Sequence, residues 1–134
     1  MSITQATLVG AQRVTPPHAE YAAAVELAVR DAQRFLTLPP FTIGWCACVG
    51  GVHGETHHFH DGRRTEIWLN AAAKLSAGEV WSTTLHELKH AADGPQFCAN
   101  YPIEAEDRAV KFPWFVREET SEWRSLSWRR PSLR

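Results

Sequence analysis

The sequence predicts a small α+β domain, because helical and strand periodicities alternate along a chain of 134 residues. Three observations carry that expectation. Residues 17–37 repeat apolar side chains at helical spacing. Residues 41–49 and 65–70 alternate apolar and polar positions, as half-buried strands do. Residues 79–93 return to a helical pattern that closes at Gly94-Pro95. The length fits one domain, residues 1–134, with a core over 17–112 and a C-terminal tail over 113–134.

Each element has its own signals. Residues 1–14 show little periodicity and read as an extended lead-in or a short strand. Thr15-Pro16-Pro17 opens the first helix, with a capping hydroxyl and proline in the first turn. Tyr21, Val25, Ala28, Ala32 and Phe35 then mark its buried face, and Pro39-Pro40 stops it. Phe41, Ile43, Trp45, Ala47 and Val49 alternate with Thr42, Gly44, Cys46 and Cys48, and Gly50-Gly51 breaks the run. Val52 to His60 forms a second extended segment. Asp61-Gly62 marks a hairpin turn into Thr65–Asn70. The expected sheet is small, mainly antiparallel and of about three strands. Ser76 or Gly78 caps the next helix, and Glu79 lies in its first turn. Pro95 to Asn100 reads as a loop. Tyr101-Pro102 begins a last helix that runs to Pro113.

Composition narrows the functional classes. A net charge of -1 points neither to nucleic acid nor to an acidic membrane surface. No apolar run is long enough to span a bilayer, and no secretory leader is visible, so the expected setting is cytoplasmic. The expected partner is then a peptide or protein substrate, with no nucleic acid. Free thiols are expected for Cys46, Cys48 and Cys98. The six tryptophans are expected to build the core and to pack the tail. His53, His57, His58 and His60 resemble a metal-binding tract in composition, but read as a solvated hairpin.

Chemistry concentrates in His86-Glu87-Leu88-Lys89-His90. Residues four apart share one helical face, so His86 and His90 can offer two imidazole nitrogens to one ion. Glu87 stands about 100° further round and can act on water there without being a ligand. Trp81, Leu85, Leu88 and Ala92 form one apolar stripe, and Val80, Thr84, Glu87 and Ala91 lie on the opposite flank. The helix therefore packs on its sides and presents the histidines between them. A catalytic zinc site usually takes three protein ligands and keeps one position open. The segment after the motif, Tyr101 to Ala109, is the best donor of the third.

The order of helix, small sheet, H-E-x-x-H helix and glutamate-bearing helix resembles the gluzincin branch of zinc metallopeptidases, especially the compact minigluzincin-like ones. The residues that carry the likeness are Thr84-Leu85-His86-Glu87-Leu88-Lys89-His90-Ala91 and Pro102-Ile103-Glu104-Ala105-Glu106. The resemblance implies zinc as cofactor, His86 and His90 as ligands, and Glu87 as general base in peptide-bond hydrolysis. It favours Glu104 as third ligand. On a helical wheel Glu104 sits on the polar face, whereas Glu106 lies within the apolar arc, where a carboxylate needs a partner. Glu104 is the expected ligand, Glu106 the alternative, and Asp93 a further candidate. Asp93 or Asp107 is expected to orient a histidine through its second nitrogen. Tyr101 and His58 are candidates for binding substrate or the oxyanion. Thr65–Asn70, immediately before the active helix, is expected as the edge strand that takes an extended peptide. The alternatives are a zinc-stabilised binding module without catalysis and an α+β interaction domain without metal.

Overall fold

Tyr21, Ala24, Val25, Ala28 and Ala32 fall on one side of a helix and are buried there. In the computed structural model of the protein that helix is α1 (Ala19–Phe35). The structure describes residues 13–47, 53–59 and 64–131. Helix α1 starts later than Thr15-Pro16-Pro17 suggests. Its first capping position is His18, whose side chain makes no capping hydrogen bond.

The strands are β1 (Arg13–Val14), β2 (Phe41–Cys46), β3 (Gly54–His58) and β4 (Thr65–Asn70). They lie in the order β1-β2-β4-β3. The expected three strands are β2, β4 and β3, and the two-residue β1 extends the sheet at one edge. The β1–β2 and β3–β4 pairs are antiparallel, while β2 and β4 are parallel. The parallel pair arises because β4 returns between β2 and β3. The turn expected at Asp61-Gly62 lies outside the described residues, as do His60, Cys48 and Gly50-Gly51.

Thr65–Asn70 is therefore not the edge strand that the sequence suggests. It is buried along its whole length, with β2 on one side and β3 on the other. Its continuous burial suits a central strand with both neighbours hydrogen-bonded. Among the described residues the outer strand on that side of the sheet is β3.

Helix α2 (Ala77–Asn100) begins with a reciprocal capping box. Ser76 Oγ accepts from the Glu79 amide at 3.0 Å, and Glu79 Oε1 accepts from the Ser76 amide at 3.1 Å. Gly94 breaks the helix with φ 88° and ψ 167°, a conformation that favours glycine. Helical geometry resumes behind it, so Pro95 to Asn100 is helical rather than a loop. Proline is tolerated at that restart because the first amide of a helix has no partner to lose. Helix α3 (Pro102–Glu119) also runs through Pro113 instead of ending there. Phe112, Pro113 and Val116 are all buried, and that packing outweighs the one backbone hydrogen bond that proline forfeits.

The core lies between the helices and one face of the sheet, where Ile43, Trp45, Ile67 and Leu69 meet Val25, Leu85 and Leu88. Tyr21 stacks on Trp45 with ring centroids 5.4 Å apart, and its hydroxyl donates to the Leu75 carbonyl. Trp81 Nε1 donates to the buried Asp31 at 3.0 Å. The segment expected as a tail folds back onto the start of α2. The Gly78 amide donates to the Ser127 carbonyl at 2.8 Å, and Arg130 grips Glu79 with contacts of 2.8 and 2.6 Å. Trp123 and Trp128 pack on Trp81 at 6.2 and 6.3 Å. No helix of the described residues is long and apolar enough to cross a membrane.

Candidate metal centre

Within α2, the packing sides predicted for the motif helix are the sides that are buried. Trp81, Leu85 and Leu88 are inaccessible to solvent, and Val80, Thr84 and Ala91 nearly so. His86 and His90 are left between them, stacked one turn apart with ring centroids at 5.0 Å. Both retain a little solvent contact, at 22% and 16% of the side chain.

Helix α3 brings the third group, and it is Glu106. Its Oε1 lies 3.1 Å from His86 Nε2, and its Oε2 lies 3.1 Å from His90 Nε2. Among the described residues these three side chains are the group that can hold a metal ion, with donor atoms all within 4.8 Å of one another. Tetrahedral zinc with bonds of about 2.0–2.1 Å needs donors roughly 3.3 Å apart. Two imidazole nitrogens and a carboxylate at this spacing fit such an ion. The exposed Glu104 is not in the group. Two residues along a helix turn a side chain by about 200°, so Glu104 and Glu106 cannot face α2 together. Ala105 and Ala109 pack against it, and Glu106 is the glutamate that shares their side.

Asp93 is committed elsewhere. It forms a two-pronged pair with Arg108 at 2.9 and 3.1 Å and a further contact with Lys89 at 3.1 Å. Asp107 pairs with Lys111 at 2.9 Å. Neither orients a histidine. Next to His90 Nδ1 is instead Cys98 Sγ, at 3.9 Å, which also donates to the His90 carbonyl at 3.6 Å. Burial is the main cause that pushes the Cys98 thiol up, followed by the charge of Asp93. Cys98 is a free thiol, as expected, whereas Cys46 is in a disulfide.

Glu87 reaches the centre from below and is only 6% exposed. Its Oε2 lies 3.9 Å from His86 Nε2. Its Oε1 accepts from the Thr56 hydroxyl at 2.7 Å. Burial pushes its carboxyl above the ordinary range, while the Thr56 hydrogen bond and the histidines pull the other way.

The centre opens into a cleft of about 900 Å³ between β3, α2 and α3. One wall is polar and carries His53, Thr56 and His58. The other is apolar and carries Val110, Pro113 and Trp114. His58 Nε2 is buried without a hydrogen-bond partner. Burial, then the neighbouring His90 and His57, pushes the His58 pKa down. His57 turns to the opposite face of β3 and meets Glu55 at 3.0 Å. Tyr101 is half-exposed and stacks near Phe97 rather than lining the cleft. Sequence reasoning missed Gly54 and Thr56. Their alternation with His58 was visible, but their pairing with Leu69 and Ile67 of β4 aims that face at α2.

No family model, no curated protein and no solved structure matches this chain. The likeness to gluzincin peptidases rests on the motif and the order of elements alone.

Proposed function

We propose that the protein is a zinc-dependent peptidase, with His86, His90 and Glu106 as zinc ligands and Glu87 as general base. The observation that carries this reading is the meeting of Glu106 with both histidines beside a buried glutamate, at the base of an open cleft. Bound zinc supplies positive charge that polarises a peptide carbonyl and acidifies water at the site. Glu87 accepts a proton from water at Oε2 and delivers it to the departing amine, the role of a positioned carboxylate. Its burial favours this exchange, because a carboxylate taken out of water accepts a proton more readily. His58 lines the polar wall of the cleft beside the histidines, where a substrate would pass. The cleft, of about 900 Å³, is open to solvent, and a peptide or protein is the proposed substrate. A cytoplasmic setting remains part of the proposal, to be checked by cell fractionation.

The test combines metal analysis with proteolysis. The purified chain is expected to hold one zinc per molecule and to cleave members of a quenched-fluorescent peptide library. Glu87→Gln is expected to keep its zinc and lose activity by about 10²–10⁴-fold. Equal cleavage by the parent and Glu87→Gln refutes the mechanism. Zinc binding with no cleavage by either leaves a binding module instead.

A further inference from the structure

We propose that Thr56 is a positioning residue that holds the Glu87 carboxylate with one oxygen directed at His86. The inference rests on the reading of Glu87 as general base and adds a second element, strand β3, to the machinery.

The geometry is specific. Thr56 Oγ1 lies 2.7 Å from Glu87 Oε1 and 3.1 Å from the Glu87 backbone carbonyl. A hydroxyl has one proton to donate, and the carboxylate is the closer and stronger acceptor. With Oε1 occupied, the carboxylate presents Oε2, the oxygen that lies 3.9 Å from His86 Nε2. Rotation about the last side-chain bond of glutamate is soft. Without the hydroxyl, little would distinguish the two oxygens or fix the plane of the carboxylate.

Gly54 supports the same arrangement from the other side. A Cβ added there would stand 3.3 Å from Glu87 Cγ and 3.2 Å from Thr83 Cγ2. Strand β3 therefore lies directly against the stem of Glu87, with the small Gly54 making room and Thr56 taking the head. Both face α2 because they pair with Leu69 and Ile67 of the central strand. The position of the base is set across the gap between sheet and helix, and not by α2 alone.

The test uses the zinc-loaded full chain with two substitutions. Thr56→Val keeps the β-branched shape and removes the donor, while Thr56→Ser keeps the donor. Expected for Thr56→Val is a fall in kcat of roughly 10–100-fold, with KM and zinc content unchanged. Thr56→Ser is expected to restore kcat to within about threefold of the parent, which a purely steric role would not predict. Crystal structures of the zinc-loaded parent and both variants supply a readout independent of turnover. The carboxylate of Glu87 is expected to keep its place in Thr56→Ser and to rotate away in Thr56→Val. An unmoved carboxylate in Thr56→Val, or a kcat equal to the parent's, overturns the inference. Should the parent cleave nothing, the peptidase reading fails, and the position of the carboxylate in the three structures still decides the role of Thr56.

Discussion

The two faces of α2 are built to opposite rules. One face carries Trp81, Leu85 and Leu88, each without solvent contact, and its polar atoms are fully engaged, as Trp81 Nε1 is by Asp31. The other carries His86 and His90, partly exposed and joined by an exposed glutamate from a neighbouring helix. On the first face burial stabilises the helix. On the second, polar groups line a cleft, where they add little to stability. A helix anchored firmly on one side can hold reactive groups in fixed positions on the other. Glu87 lies at the border, buried like the core yet chemically part of the cleft.

The contrast can be broken most sharply at Trp81. Replacing it with alanine should cost about 3–5 kcal/mol of stability, read from urea unfolding, while the folded fraction still binds one zinc per chain. A loss of zinc stoichiometry in the folded fraction would show that the two faces are not separable. The converse test is Glu106→Ala. It should weaken zinc by about 100-fold or more in a chelator competition, because three protein ligands are the usual complement, and leave the urea midpoint of the metal-free protein nearly unchanged. Glu104→Ala should alter neither, and a weakening equal to that of Glu106→Ala would reassign the third ligand.

Gly94 sharpens the comparison at the point where α2 turns towards α3. An added Cβ meets nothing within 4 Å, so only the backbone at φ +88° resists substitution. Gly94→Ala should lower stability by about 1–3 kcal/mol. A change of only a few tenths would mean that the break relaxes freely. The smallest effect is expected at the start of the helix. Contact with Arg130 holds the Glu79 carboxyl down at about 2, against an ordinary value of 4.5. A depressed carboxyl stabilises the fold above its unfolded value and loses that contribution as pH falls through its folded value. The acid-stability curves of the parent and Arg130→Ala should therefore differ above about pH 4.5 and converge towards pH 2. Parallel curves over that range would remove the pair from the account. The effect is small because the Arg130 side chain is 65% exposed and screened by water.

Much of this contrast was legible in the chain. The stripe through Trp81, Leu85 and Leu88 and the pair at His86 and His90 follow from the turn of a single helix. A cap at Ser76 or Gly78 was legible too, and Ser76 takes that place, while the stop expected at Gly94-Pro95 is a break behind which the helix resumes. What was misread involved contacts between elements. Thr65–Asn70 alternates in the way a half-exposed strand does, yet β4 returns between β2 and β3 and is covered on both faces. Pro113 should end a helix on local grounds, and its neighbours Phe112 and Val116 keep the helix going by packing. Free cysteines were expected throughout, and Cys46 is in a disulfide.

The centre itself divides the same way. Spacing alone puts His86, Glu87 and His90 on adjoining parts of one helix, because 3.6 residues per turn leave no other arrangement. Glu106 and Thr56 belong to other elements, and their distance from the motif depends on how those elements pack. The side of α3 that carries Ala105 and Ala109 meets α2 and brings Glu106, not Glu104, to the histidines. The register of β3 on β4 turns Thr56, not His57, towards Glu87. Local periodicity determines direction around one axis, and only tertiary packing decides which directions from different axes converge.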